Sequence, residues 1–317
     1  MLLGTSRARG LLGLGLAGLL FLLAACAGPP REPLRIATSV WVGFEPLYLA
    51  RSLDLLPPGS VRLVEMSSSV DTMRAFRDRL VDGAALTLDE VLTLAQDQED
   101  LRLILVTDVS HGGDALLASR DIPDLRALRG KRVGVEHTAA GAWLLTRALQ
   151  SAGMRASDVV IVPVTEAGHE KAFISGEVDA VVTFEPVSTH LLNRGAHVLF
   201  DSSRIQGEIV DVLVVREELL QIRPKDLRGL LDGWFSALDL VAEHPRESAV
   251  RMAPRLGLEA TEVQRALAGL RFPDRRENER LLKGPLQDTA RKISRVMLDE
   301  HLLVRPVDPA PLFGGFR

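Results

Sequence analysis

The chain has 317 residues, 46% of them hydrophobic, 25% charged and 4% aromatic, with a formal net charge of −4. That length and apolar content suffice for a core of ordinary size and fit two lobes. A mildly acidic chain with no basic tract excludes nucleic acid as an electrostatic partner, and a single cysteine excludes an intrachain disulfide.

The first segment carries Arg7 and Arg9, then an uncharged run from Gly10 to Ala25, and then Leu23-Ala24-Ala25-Cys26 at its end. A basic start, a short apolar stretch and small residues before a cleavage point predict a secretory signal peptide over residues 1–25. The stretch falls short of the ~20 apolar residues that a spanning helix needs, and Pro29, Pro30 and Pro33 follow it, so no permanent transmembrane anchor is expected. The tetrapeptide resembles the lipobox of bacterial lipoproteins, in which the cysteine sulfur receives diacylglycerol. An unpaired exported thiol is a liability unless it is used. Lipidation is therefore expected at Cys26, with residues 26–33 as a tether. This places the protein in the cell envelope, lipid-anchored and facing the periplasm or the cell exterior. Loss of the leader with its two arginines takes the charge from −4 to −6.

From Leu34 onward, short β-branched runs alternate with stretches of helical period. Strands are predicted at Leu34–Val40, Val61–Met66, Ala84–Leu88, Leu101–Val106, Ala115–Ser119 and Arg132–Glu136. Four more follow at Val159–Val164, Ala180–Thr183, His197–Phe200 and Val210–Val215. Ser68-x-x-Asp71 opens one helix and Gly141 leads into another. Such alternation argues for an α/β fold of parallel sheets with helices on both faces. After Val215 the pattern is helical over 217–304, with stops expected at Pro224, Pro245, Pro254 and Gly284-Pro285. Ser110–Ser119, interrupted by His111-Gly112-Gly113-Asp114, and Ile209–Arg216 read as crossings between lobes. The expected division is 34–114 plus 213–317 for the first lobe and 115–212 for an inserted second lobe.

Open α/β sheets bind ligands beyond the carboxyl ends of their strands. The first such place holds Trp41, Phe44 and Glu45, with Tyr48, the only tyrosine, one helical turn further on. Phe44-Glu45-Pro46 recurs as Phe184-Glu185-Pro186, again opening a helix after a strand, which makes Glu185 a second candidate. Proline in a first turn and a carboxylate beside a helix N-terminus also have a purely structural explanation. His137, Thr138 and Gly141 form a small-residue turn into a helix, where free amides suit an acceptor group. The turn lacks the glycine spacing of a phosphate loop, so no nucleotide cofactor is expected. Thr87 and Asp89, Ser110 and Asp114, and Asp211 sit at matching strand ends, although Asp89 equally suits a helix cap and Asp114 a turn. The seven histidines are scattered, with no His-Glu-x-x-His and no Gly-x-Ser-x-Gly, so neither a metal, a cofactor nor a catalytic residue is expected.

Three segments carry a resemblance: Trp41-Val42-Gly43-Phe44-Glu45-Pro46-Leu47-Tyr48-Leu49-Ala50, Leu128-Arg129-Gly130-Lys131-Arg132-Val133-Gly134-Val135, and Gly176-Glu177-Val178-Asp179-Ala180-Val181-Val182-Thr183-Phe184-Glu185-Pro186. In order and spacing the chain resembles the substrate-binding proteins of ABC importers in the nitrate/sulfonate/taurine/thiamine-precursor group. The resemblance implies a type II periplasmic-binding-protein fold: two α/β lobes on a two-segment hinge, with a C-terminal helical tail on the first lobe. It implies a monomer that closes on one small molecule and docks on an inner-membrane permease. The family's binding positions correspond to the loop at Trp41–Glu45, to Thr87, to Ser110–Asp114, to His137–Gly141 and to the Glu185 turn.

The candidate wall is rich in acids (Glu45, Asp89, Asp114, Glu136, Glu185, Asp211) and has no obvious Arg or Lys. A ligand of donor or cationic character, amine-bearing or heterocyclic and stacked on Trp41, is therefore expected in place of nitrate or a sulfonate. Two other readings stay open. One is a lipid-tethered sensor presenting its ligand to a receptor, and the other is an enzyme on the same fold acting on a pyrimidine-like metabolite. The second lacks a cysteine-rich iron motif or any other convincing catalytic cluster.

Overall fold

A computed structural model describes residues 32–136 and 139–314, and the folded unit begins at Leu34. Cys26 and the leader, like His137 and Thr138, lie outside the described residues. The unit starts with β1 (Leu34–Thr38), a 3-10 turn at Val42–Phe44 and helix α1 (Glu45–Ser52), in which Pro46 occupies the first turn and needs no amide donor. Next come β2 (Val61–Glu65) and α2 (Ser69–Arg77), whose N-cap Ser68 accepts the Asp71 amide as the spacing predicts. Then follow β3 (Gly83–Thr87), α3 (Leu88–Leu94) and the ten-residue β4 (Leu101–Ser110).

The chain crosses at His111–Gly113 into β5 (Asp114–Ala118), followed by β6 (Arg132–Val135), α4 (Ala139–Ser151), β7 (Val160–Pro163) and α5 (His169–Ile174). After β8 (Ala180–Phe184), α6 (Val187–Asn193) and β9 (His197–Asp201), it returns through β10 (Val210–Arg216). The remainder comprises α7 (Glu217–Ile222), α8 (Pro224–Glu243), α9 (Pro245–Leu256), α10 (Ala260–Ala268), β11 (Leu270–Arg271), α11 (Arg275–Leu282) and α12 (Pro285–Asp299).

Two sheets result, ordered β11-β4-β10-β3-β1-β2 and β7-β6-β8-β5-β9. β1, β2 and β3 are parallel, as are β6, β7 and β8. The strand that arrives from the opposite sheet is antiparallel to its neighbours in each case: β10 between β3 and β4, and β5 between β8 and β9. The sheets are therefore mixed, where the alternation predicts parallel ones. Strand periodicity carries no direction, and only the crossings set it. The architecture is the two-sheet α/β fold with a helical tail that the resemblance implies.

The tail packs on the first sheet's helices. Trp234 and Leu230 of α8 and Met252 of α9 share a buried cluster with Leu47 and Tyr48 of α1. Leu286, Ala290, Ile293 and Met297 form one apolar stripe of α12, which packs against α3. Pro254 does not stop its helix. It lies inside α9, which ends two residues later where Gly257 adopts φ +64°, so the missing amide costs only one bond near a terminus.

Asn278 of α11, 3% exposed, takes the place of a strand partner on β4. Its Oδ1 accepts from the Val106 amide at 2.8 Å and its Nδ2 donates to the Val106 carbonyl at 2.7 Å. Asn278→Ala orphans both backbone groups and should cost about 2–4 kcal/mol in urea unfolding. An unchanged midpoint would mean that water replaces the amide without loss.

Candidate functional site

The carboxyl ends of β1, β3 and β8 and the two crossings surround one cavity. The side of the first sheet contributes Ser39, Trp41 and Phe44 after β1, Thr87 and Glu90 at the start of α3, and Asp211 on β10. From the side of the second sheet come Asp114 on β5, Glu136 after β6, Leu144 on α4, His169 on α5 and Phe184 on β8. Asp114 and Asp211 thus each pair with the sheet opposite to the one that the expected division at 114/115 and 212/213 gives them, because β5 already starts at Asp114 and β10 at Val210. The cavity's volume is about 50 Å³, room for a few water molecules.

The Trp41 ring is 5% exposed and meets Phe184 edge to face, with centroids 5.6 Å apart and planes at 87°. Its Nε1 donates to Asp108 Oδ2 at 3.3 Å. A Cβ at Gly43 would collide with that carboxylate and with the indole nitrogen, so the close turn requires glycine there.

Strand register sets the acids at one end. Asp211 faces Asp108 on β4 and Thr87 on β3, so two carboxyls are opposed across neighbouring strands. Like charges so placed repel. Burial, and then the Asp108 charge, push the Asp211 carboxyl well above its usual range, while burial raises Asp108 to about 7. Asp114 is raised to about 6 by burial, with Glu90 and Glu185 adding to it.

A second group lies around α4 and α5. Burial, then Glu90, raises Glu136 to about 7, and burial, then Glu136, raises Glu166 to about 9. His169 is pushed down to about 4 by burial and is neutral, with Nδ1 3.2 Å from Thr183 Oγ1. Glu90 sends its carboxylate back to the Thr87 amide at 3.0 Å, a capping-box contact. Among the described residues neither Lys nor Arg lines the cavity, and no group of three or more His, Cys, Asp and Glu is placed to hold a metal ion.

The lobes touch across the cleft. Ser69 N donates to Glu166 Oε2 at 3.1 Å, Asn193 Nδ2 to Glu262 Oε1 at 2.9 Å, and Gln150 Nε2 to Glu300 Oε1 at 3.0 Å. Glu208, on the return crossing, accepts from Arg147 Nε of α4 at 2.8 Å and from Lys292 Nζ of α12 at 3.1 Å. The conformation is closed.

Of the residues singled out in the sequence, Trp41, Phe44, Thr87, Asp114, Gly141 and Asp211 line the cavity, as does Glu136 of the acidic wall. Glu45, Asp89, Ser110 and Glu185 do not. Glu45, 1% exposed, receives Arg255 Nε at 3.0 Å, and that guanidinium also covers the Tyr48 ring at 3.3 Å. Glu185 accepts from the Thr189 amide at 3.2 Å and from its hydroxyl at 3.0 Å, within its own helix start. In both Phe-Glu-Pro turns a nearer donor takes the carboxylate. Asp89 is buried in the first turn of α3. Ser110 Oγ lies 2.8 Å from Ser202 Oγ, which ties one crossing to the other.

Sequence reasoning missed Glu90, His169 and Phe184 as lining groups. Thr87-x-x-Glu90 has capping-box spacing and could have drawn attention to Glu90. Phe184 lies in the same Phe-Glu-Pro motif as Glu185, and His169 carries no local signal.

A family model for the NMT1-like family matches residues 27–256. A protein of Escherichia coli (strain K12) named for binding aliphatic sulfonates is 28% identical over 265 residues, 80% of this chain and 81% of that one. The alkanesulfonate-binding protein SsuA from Xanthomonas axonopodis pv. citri, solved with MOPS, superposes with a TM-score of 0.77 at 18% identity, over 90% of this chain and 99% of that one. The desulfurization enzyme DSZB shares the fold at a TM-score of 0.64 and 18% identity, over 87% of this chain and 94% of its own, so the fold alone is compatible with catalysis. The architecture is the type II periplasmic-binding-protein fold, and by the family match over most of its length the chain belongs to the NMT1-like family.

Proposed function

We propose that this protein is the extracytoplasmic solute-binding component of an ABC-type importer. In this reading residues 1–25 direct export and lipid on Cys26 holds the body near the membrane. One small molecule is enclosed between the lobes and handed to an inner-membrane permease. The observation that carries the reading is a cavity to which both lobes contribute polar and aromatic groups, beneath hydrogen bonds that link the lobes. A solute touching both lobes favours the closed state by its differential affinity, and a permease can recognise that state. The relatives' names point to sulfonates. In this cleft a sulfonate would face carboxyl groups with no lining Arg or Lys among the described residues, so we favour a ligand that donates hydrogen bonds.

The test is a thermal-shift screen of the mature protein against small metabolites. At about 100 times its Kd, a ligand of the native state adds about 2.7 kcal/mol, enough to raise Tm by several degrees. Trp41→Ala should abolish the shift while circular dichroism stays native. A shift that survives Trp41→Ala would move the site elsewhere, and a screen without any hit would count against solute binding itself.

A further inference from the structure

We infer that the solute is a short organic dication of the diamine class, with one donor-bearing end at Asp114 and Asp211 and the other at Glu136 and His169. The inference rests on the cleft being the ligand site, and it names what the cleft selects.

Apart from the Thr87 hydroxyl, which can donate or accept, three buried polar atoms of the described cavity-lining residues have no hydrogen-bond partner: Asp114 Oδ2, Glu136 Oε1 and His169 Nε2. Glu136 is 6% and His169 1% exposed, so water does not serve them freely. Once ionised, the two carboxylate oxygens have only lone pairs to offer, and His169 Nε2 joins them as an acceptor. His169 is neutral and engages Thr183 Oγ1 and the Val164 carbonyl, and a carbonyl takes only a donor. We assign the ring proton to Nδ1, which leaves a lone pair on Nε2. A complementary solute presents N–H groups, whereas a sulfonate presents three more acceptors.

The number of charges follows from the placement of the acids. Asp114 and Asp211, backed by Asp108, lie on the crossing strands, and Asp89 is buried close by on α3. Glu136 and Glu166 lie toward α4 and α5, with Asp71 of α2 within Coulombic reach. Glu90 acts on both groups, and Glu185 acts on Asp114. A monocation at either end leaves the carboxyls of the other holding their protons and their acceptor atoms unmatched, whereas a dication ionises and pairs both. Trp41, Phe44 and Phe184 supply an apolar wall for a short hydrocarbon linker and π-faces for its charged ends.

Before the dication arrives, these carboxyls share protons. A dication displaces those protons, so its affinity rises with pH. An anion held by the protonated carboxyls would bind better as pH falls, so the slope reports the sign of the ligand's charge.

The experiment is calorimetric titration of the mature protein at pH 6 and pH 8 with propane-1,3-diamine to pentane-1,5-diamine, which are dications at both values, with propylamine, and with propanesulfonate. One diamine should bind about 100-fold more tightly than propylamine and about tenfold more tightly at pH 8 than at pH 6, with no heat from propanesulfonate. Glu136→Gln should bring that diamine within about tenfold of the monoamine. Tightest binding of propanesulfonate, equal binding of monoamine and diamine, or an affinity that falls from pH 6 to pH 8 overturns the inference. So does silence from every diamine. If another solute still raises Tm in the metabolite screen, solute binding stands and only the ligand class falls.

Discussion

The ligand-free protein should melt at a higher temperature at pH 5 than at pH 8, by at least about 5 °C. Carboxyls whose folded pKa lies above the unfolded value bind more protons in the native state. Their stabilising effect is complete below the unfolded value and is lost as pH rises through the folded one. Glu136, raised from 4.5 to about 7 chiefly by burial, accounts alone for about 2–3 kcal/mol across this interval. Asp108, raised to about 7, and Asp114, raised to about 6, act in the same direction, and Glu166 extends the window toward pH 9. At roughly 2–4 °C per kcal/mol for a protein of such size, the shift is easily read by calorimetry. Surface ion pairs such as Arg35–Asp82 and Arg132–Asp179 hold their carboxyls below the usual range, so they remain intact at pH 5. A saturating cationic ligand should flatten the profile. A maximum above pH 7 without ligand would mean that the cleft acids are ionised in the fold and the site is well hydrated.

The second large effect is expected at Arg255. Its guanidinium is hydrogen-bonded to the Glu45 carboxylate and also reaches Glu65, whereas Arg51 acts on Glu45 only through its charge. Glu45 is raised to about 7 by burial even with Arg255 beside it. Arg255→Ala leaves that carboxylate buried and without its hydrogen-bonded partner, which should cost about 3–5 kcal/mol at pH 8 in urea unfolding. At pH 5 the loss should be smaller by about 2 kcal/mol, because Glu45 then takes a proton. The double change Glu45→Gln with Arg255→Met, which removes both charges of the pair, should return to within about 1 kcal/mol of the parent at pH 8. Equal losses at both pH values would assign the effect to lost packing over Tyr48.

Most of the framework was legible because burial on both sheet faces demands β-branched runs, and their alternation with helices survives in one dimension. The crossings were legible for a similar reason: His111-Gly112-Gly113 breaks one extended run, and a polar loop precedes the other. The two-residue β11 was not, because such a short strand has no period. At the site, the excess of acids was readable but their employment was not. Glu45 and its partner Arg255 are separated by 210 positions, and a carboxylate at a helix start looks the same in sequence whether it faces a solute or a distant guanidinium. Asp211 and Asp108 oppose one another only because β10 inserts beside β4 in that register. His169 reaches the cavity through tertiary folding alone.

The closed cleft keeps only about 50 Å³, and the Asn193–Glu262 and Ser69–Glu166 contacts join its two sides. Enclosing a molecule of several carbon atoms takes more room than this, so its entry and its binding both move the two sides apart from where these contacts hold them. In the proposed role capture would then be gated: the lobes part at a pace the protein sets, and solutes that fit and solutes that do not meet the same open mouth. Discrimination then falls on residence time, since only a solute that completes the buried interactions delays reopening. The protein chooses less by whom it admits than by whom it detains.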